Sequence, residues 1–162
     1  TEPSVGLLNV GIEDMKGNEN VQKASEILLD MSNKKQLNYY GFVEGADISN
    51  GITNVIVTDG FTGNIALKTA EGTARFITDN LKLSLKENFL SKFSIIFSYF
   101  SLKRFKEKLD PRKFNGAIFL GLNGPVVKSH GSTDFIGFAN SLNLCKKIVT
   151  GKLIDKIKQS II

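Results

Sequence analysis

His130, the only histidine in the chain, lies in a short segment that carries several groups able to take part in chemistry. Histidine is the residue type that titrates near neutral pH, and Lys128 adds a cation close by. Asp134 closes the segment as a candidate N-cap of the next helix. A segment that only joins two elements has little need of all these groups. We therefore take residues 123–134 as a candidate site with His130 and Lys128 as its candidate catalytic groups; the alternative is a histidine with a purely structural role.

Two further loops, residues 9–19 and 59–64, combine glycines with a predicted helix start. Glycine lets the backbone approach a ligand closely, and the free amides at a helix start favour an anion. The alternative for each loop is a plain turn with a helix cap. The candidate substrate- or phosphate-binding residues of the three loops are Asn9, Lys16, Asn18, Asp59, Thr62, Gly63, Asn64, Lys68, Asn123, Gly131 and Ser132.

Composition narrows the possible functions. The length is that of one ordinary domain, and a single cysteine, Cys145, excludes an internal disulfide. One histidine and one cysteine argue against a zinc site of the usual kind. No glycine loop matches the dinucleotide fingerprint or the Walker A loop, so neither NAD nor ATP is indicated. We expect no metal and no cofactor.

The segment 86–113 combines aromatic and basic residues and differs from the rest of the chain. Its apolar stretch is too short to span a bilayer but suits a helix lying in the membrane interface, where basic residues would meet anionic lipid. The alternative is a helix buried at a subunit interface. Because the basic residues flank a continuous apolar helix, we do not expect nucleic-acid binding. The candidate contact residues are Phe89, Phe93, Ile96, Phe97, Phe100, Lys103 and Arg104.

The elements that must position these groups follow from the apolar pattern. Strands are predicted at residues 5–10, 37–43, 54–58 and 117–120. Helices are predicted to begin at residues 18–19 and at Asn64, and to occupy residues 88–109 and 134–149. Strands that alternate with helices indicate an α/β domain with a largely parallel sheet, and the candidate loops then lie at the carboxyl ends of its strands.

Six stretches of the chain, in this order and spacing, carry a family resemblance: residues 5–11 (VGLLNVG), 16–19 (KGNE), 41–45 (GFVEG), 57–64 (VTDGFTGN), 67–72 (LKTAEG) and 123–132 (NGPVVKSHGS). Together they resemble the PlsX-type phosphate acyltransferases of bacterial phospholipid synthesis, over nearly the whole chain. The resemblance implies a three-layer α/β/α fold like that of isocitrate and isopropylmalate dehydrogenases, with the segment 86–113 as a helical projection. The family's chain is about twice as long, so residues 1–162 are interpreted as the C-terminal half of one acyltransferase domain, an incomplete chain.

The resemblance also implies the reaction and its partners. A fatty acyl group would pass from acyl carrier protein to inorganic phosphate, without a cofactor, and the acyl phosphate would go to a membrane-bound glycerol-3-phosphate acyltransferase. A homodimer in the cytoplasm, associated peripherally with the inner face of the membrane, is expected. Two alternatives stay open: a phosphotransacetylase-like enzyme that uses an acyl-CoA thioester, and a non-catalytic module that binds a membrane or carrier protein.

Phosphate is already a nucleophile at neutral pH, so this reaction needs no protein nucleophile. The helix start at residues 62–64 and Lys68 are expected to bind phosphate. Lys128 and His130 are expected to stabilise the oxyanion or to protonate the leaving sulfur.

Overall fold

The computed structural model describes residues 2–131 and 133–161, with all their side chains except those of Lys92 and Ile161. Ser132 therefore lies outside the described residues. The chain divides into two compact units, residues 1–72 and 73–162. The first unit contains β1 (Ser4–Leu8), α1 (Glu19–Asn33), β2 (Asn38–Val43), α2 (Gly45–Asn50), β3 (Val55–Val57) and the beginning of α3 (Gly60–Lys86).

The three strands of the first unit form one parallel sheet in the order β2-β1-β3. This confirms the α/β class, and the strands lie at the positions that the apolar runs predict. Because the strands are parallel, their carboxyl ends at Leu8, Val43 and Val57 share one edge of the sheet. The connections at residues 9–18, 44 and 58–59 therefore leave the sheet side by side.

Gly6 is the point of closest packing in this sheet. It pairs with Gly41 on one side and Ile56 on the other. A Cβ at Gly6 would lie 2.6 Å from Cγ1 of Val43, so a larger residue would push the strands apart. Val43 is completely buried, and the other buried apolar residues of the unit are Val5, Leu7 and Leu8.

The second unit is mainly helical. After the end of α3 it contains α4 (Phe89–Lys108), a 3-10 turn (Pro111–Phe114), β4 (Ala117–Ile118), β5 (Val127–Lys128), α5 (Phe135–Thr150) and α6 (Leu153–Ile161). α5 packs against the 3-10 turn, β5 and α6. The predicted helices at 88–109 and 134–149 are confirmed, and Asn88 and Asp134 cap them. α2, α6 and the 3-10 turn were not predicted.

The fourth predicted strand, residues 117–120, is wrong in length and in pairing. Only Ala117–Ile118 is extended, and it pairs antiparallel with Val127–Lys128 in a separate two-stranded sheet. Gly121, at φ +82°, helps to turn the chain back, and the amide of Phe119 donates to the carbonyl of Val126 at 2.9 Å. A short apolar run has the same pattern in either kind of sheet, so the sequence alone does not distinguish them.

Within the part of the chain that the structure describes, no helix is long and apolar enough to cross a membrane.

Candidate functional site

A cleft of about 580 Å³ lies at the carboxyl ends of the three strands in the first unit. β1 lies between its two neighbours, and the chain passes from β2 on one side to β3 on the other. Ligands of parallel α/β sheets bind beyond the strand ends at such a reversal of strand order. The lining residues are Leu8, Asn9, Val10, Gly17, Asn18, Val21, Glu44, Gly45, Ala46, Asp59, Thr62, Ile65 and Ala66.

The cleft brings together some of the predicted binding residues but not all of them. Asn9, Asn18, Asp59 and Thr62 line it. Glu44, which follows β2, and the first two residues of α2, Gly45 and Ala46, also line it and were not predicted as part of the site. The sequence did contain a signal for this part of the site, because Glu44-Gly45 follows a predicted strand and contains a glycine, like the other two loops of this unit. The predicted binding residues of this unit that are not among the described lining residues are Lys16, Gly63, Asn64 and Lys68.

Asn9 and Asn18 are held by contacts inside their own loop. Nδ2 of Asn9 donates to the carbonyl of Lys16 at 3.0 Å, and its Oδ1 accepts from the amide of Val10 at 2.9 Å. Asn18 caps α1, since its Oδ1 accepts from the amide of Val21 at 3.0 Å. A Cβ at Gly17, where φ is +91°, would lie 2.3 Å from Oδ1 of Asn9, so this loop requires glycine. These side chains fix the shape of the cleft wall.

The start of α3 is four residues earlier than predicted, at Gly60 and not at Asn64. Asp59 takes up the first amides of the helix, because its Oδ1 accepts from Phe61 and Thr62, both at 2.9 Å, and its carbonyl accepts from Gly63 at 2.9 Å. Hydrogen bonds from the side chain and the amide of Thr62 hold the pKa of Asp59 below its ordinary value. The helix start expected at residues 62–64 is therefore wrong: it lies at Gly60, the amide of Thr62 already donates to the Asp59 carboxylate, and the amide of Gly63 donates to the Asp59 carbonyl.

In the second unit, the segment from Lys128 to Asp134 links β5 to α5. Lys128, His130 and Gly131 are exposed. Asn115, which lies before β4, holds the segment: its Oδ1 accepts from the amide of His130 at 2.9 Å. Sequence reasoning missed Asn115, because its partners are far away along the chain.

Arg112 and Asp134 fix the other end of this segment. Asp134 caps α5 by accepting from the amide of Gly137 at 3.0 Å, and Arg112 reaches its carboxylate at 3.0 Å. These bonds, the one from Gly137 first, lower the pKa of Asp134. Arg112 also bonds Asp110 at 2.7 Å, and its hydrogen bonds lower the pKa of Asp110 to about 2.

Asn123 lies in another part of the second unit. It lines a smaller cleft of about 190 Å³ together with Pro125 and with residues of α5, α6 and the turn between them. No three side chains of histidine, cysteine, aspartate or glutamate within residues 2–131 and 133–161 are grouped so that they could hold a metal ion.

α4 presents its aromatic residues to solvent. The less exposed stripe of the helix is formed by Ser91, Ile95, Ser98 and Leu102, at helical spacing. The rings of Phe93 and Phe97 pack edge to face, with their centres 5.7 Å apart. Exposed apolar patches of this kind mark contact surfaces. The predicted contact residues Phe89, Phe93, Ile96, Phe97, Phe100, Lys103 and Arg104 are all exposed in this chain.

Comparison with known proteins agrees with the sequence resemblance. The family model described as "Fatty acid synthesis protein" matches residues 1–156. A phosphate acyltransferase of Pelagibacter ubique (strain HTCC1062) is 54% identical over 157 residues, which cover 97% of this chain and 47% of that relative. Phosphate acyltransferases of Paramagnetospirillum magneticum and Sinorhizobium fredii are both 50% identical, over 98% and 96% of this chain and 44% and 45% of their own lengths.

The chain thus spans about half the length of the curated relatives it matches. The family model covers almost all of it, and the relatives share about half of its residues. This chain belongs to the family of fatty acid synthesis proteins and is similar to its phosphate acyltransferases.

Proposed function

We propose that this chain takes part in the transfer of a fatty acyl group from acyl carrier protein to inorganic phosphate, which yields acyl phosphate for phospholipid synthesis. The observation that carries the proposal is the identity of 54% with a phosphate acyltransferase over 97% of this chain. The cleft at the carboxyl ends of β1, β2 and β3 supports it, since this is the part of a parallel sheet that binds ligands.

The protein must contribute to the reaction in three ways. A phosphate oxygen attacks the carbonyl carbon of the thioester and forms a C–O bond; the C–S bond then breaks, and the sulfur leaves with the electron pair and takes up a proton. The protein must bind phosphate, stabilise the charge on the carbonyl oxygen and supply that proton.

The cleft suits the apolar part of the donor. Leu8, Val10, Val21 and Ile65 line it, and such side chains favour an acyl chain or the arm that carries it. Its polar side chains largely serve their own loops, as Asn9 and Asn18 show. We assign the cleft to donor binding, with Asn9 and Asn18 shaping its wall.

The charged steps are assigned to the lysines and to His130. Lys68 and Lys16 are the candidate cations for phosphate, together with Thr62 and the neighbouring Gly63 and Asn64. His130 donates the proton to the leaving sulfur, and Lys128 stabilises the oxyanion, and Gly131, Ser132 and Asn123 remain further candidate binding residues. Asp59 is the unfavourable member of the predicted set, because its carboxylate repels phosphate.

A chimaera tests this proposal, because the chain spans about half of its relatives. The chain replaces the matching segment of the Pelagibacter ubique phosphate acyltransferase, and acyl phosphate is trapped with hydroxylamine after addition of acyl carrier protein thioester and phosphate. Phosphate-dependent product is expected. Product from acyl-CoA but not from the carrier-protein thioester would favour the phosphotransacetylase-like alternative. A folded chimaera without any product would favour the non-catalytic binding module.

We also propose that α4 is the contact surface of the protein, both for a second copy in a homodimer and for the inner face of the membrane. On this proposal the protein works in the cytoplasm and delivers acyl phosphate near a membrane-bound glycerol-3-phosphate acyltransferase. The support is the exposure of Phe89 at 80% and Phe97 at 79%, followed by the basic residues Lys103 and Arg104.

Flotation with vesicles that contain anionic phospholipid tests the lipid contact. The double substitution Phe93→Ser with Phe97→Ser should weaken binding, whereas Phe76→Ser, an exposed phenylalanine of α3, serves as the matched control. Light scattering on the same variants tests the dimer. Loss of the dimer with unchanged vesicle binding would restrict α4 to subunit contact.

A further inference from the structure

The carboxamide of Asn115 is the point where three parts of the second unit meet. Its Oδ1 accepts from the amide of His130 at 2.9 Å. Its Nδ2 lies 2.9 Å from Oγ of Ser129, 3.3 Å from Oγ1 of Thr133 and 2.8 Å from the carbonyl of Gly137. One side chain therefore connects the end of β5, the segment 129–134 that follows it (the histidine segment) and the first turn of α5.

The hydrogen bonds use both the donor and the acceptor group of this side chain. A carboxamide has two donor hydrogens and one acceptor oxygen, and here the donor side faces acceptors while the oxygen faces an amide. The opposite orientation would place the NH₂ group against the amide of His130, donor against donor. The geometry thus requires both ends of the carboxamide, and no other side chain of this size provides both.

The packing around Gly137 is independent evidence that the histidine segment lies close to the start of α5. A Cβ at this position would lie 2.0 Å from Oγ1 of Thr133 and 3.4 Å from Nδ2 of Asn115. Gly137 is buried in the first turn of α5, where alanine is intrinsically the better helix former. A residue without a Cβ is therefore needed here so that the histidine segment can pack closely against α5, although alanine would favour the helix more.

We propose that Asn115 is a positioning residue, which fixes the backbone of His130 against the start of α5 in the space that Gly137 leaves. The structural part of this inference stands by itself. Its consequence for turnover rests on the proposed function, because it requires His130 to act in the reaction.

The test is amide hydrogen exchange by NMR on the 162-residue chain. In Asn115→Ala the amide of His130 loses its partner and should exchange about tenfold faster, as expected for the loss of one hydrogen bond. Asn115→Asp keeps an oxygen for this amide, so the exchange of His130 should stay close to that of the unmodified chain. Gly137→Ala displaces Thr133 and should shift the amide signals of residues 130 and 133.

Two controls separate a local effect from general unfolding. Asn80→Ala removes a comparable carboxamide, whose Nδ2 donates to the carbonyl of Phe76 in α3, and should leave His130 unchanged. The amide of Leu7 in β1 should keep its exchange rate in all variants. If His130 exchanges at the same rate in Asn115→Ala, or if Leu7 accelerates equally, the positioning role is wrong.

The imidazole provides a second readout, because the chain has one histidine and therefore one imidazole signal. Asn115→Ala should shift and broaden this signal, and Asn115→Asp should restore it in part. In the chimaera, kcat should fall for Asn115→Ala and recover in part for Asn115→Asp, with little change in KM for phosphate. Unchanged turnover in His130→Ala beside the expected NMR result would overturn the role of His130 in the reaction and leave the positioning role standing.

Discussion

The loops at Asp59 and at Asp134 use the same helix cap in different surroundings. Each carboxylate accepts from amides of the first helical turn, α3 in one case and α5 in the other. Asp134 is also paired with Arg112. Asp59 has its capping contacts and lines the cleft, and none of the described lining residues of that cleft is a lysine or arginine. The cap at Asp134 is neutralised, and the cap at Asp59 leaves its negative charge at the cleft.

This difference suggests a division of labour between the two regions. The cleft of the first unit has apolar walls and polar groups that already bond to their own backbone, which suits the binding of an uncharged chain. The segment after β5 exposes Lys128 and His130 on a backbone that Asn115 and Arg112 hold in place. Fixed polar groups are the ones that contribute most to a charged transition state.

The largest expected effect is that of His130→Ala in the chimaera. If His130 supplies the proton to the leaving sulfur, kcat should fall about 100-fold, since general acid catalysis contributes at least this much. His130→Gln keeps a polar side chain of similar length and should lose as much. Acyl phosphate formation at the original rate would remove His130 from the mechanism and leave the segment with a structural role.

A smaller effect is expected at the first cap. Asp59→Asn keeps a good N-cap and removes the negative charge beside Thr62, a candidate phosphate-binding residue, so KM for phosphate should fall about fivefold, as for one charge at close range in water. Asp134→Asn makes the same exchange at the second cap and should leave KM for phosphate unchanged. An increase of KM in Asp59→Asn would show that the carboxylate organises the phosphate site, and the division of labour would be wrong.

The parts of the fold that follow from local signals were predicted. A run of five to seven residues rich in apolar side chains marked each strand of the parallel sheet. Asn18, Asn88 and Asp134 marked three helix starts, because the side chain of each accepts from the amide three residues ahead. The start of α3 was misplaced because Asp59 and Asn64 are both good caps. Asp59 prevails since its Oδ1 takes two amides at once.

The parts that depend on distant contacts were not predicted. The antiparallel pairing of β4 with β5 and the role of Asn115 both need partners that are 9 to 22 residues away in sequence. An asparagine followed by a glycine looks like a turn, and no local pattern tells that its carboxamide reaches Gly137. For the same reason the sequence indicated which loops are candidate sites, but it did not indicate which of their side chains already hydrogen-bond within the protein.

Arg112→Met removes the cation that pairs with both Asp110 and the cap Asp134, and its effect is measured through the pH dependence of stability. Arg112 lowers the pKa of Asp110 from 3.8 to about 2, so the ionised carboxylate stabilises the folded state above the higher value. This stabilisation should be lost as the pH falls from 4 towards 2. Urea unfolding of the unmodified chain should show the decline, and Arg112→Met should be less stable at pH 6 with a flatter profile between pH 4 and 2. Equal slopes would mean that the ion pair contributes nothing.

The smallest effect on turnover is expected from Asn18→Ala, compared with Asn88→Ala. Both remove an N-cap, of α1 and α4, and each should cost about 1 kcal/mol of stability in urea unfolding. Only Asn18 lines the cleft, so only its loss should let the wall at Gly17 relax and raise KM for the acyl donor. KM for phosphate should stay constant in both, because the cleft is assigned to the donor. If the two variants have the same KM for the donor, Asn18 is a helix cap alone, and the cleft is not the place where the acyl chain binds.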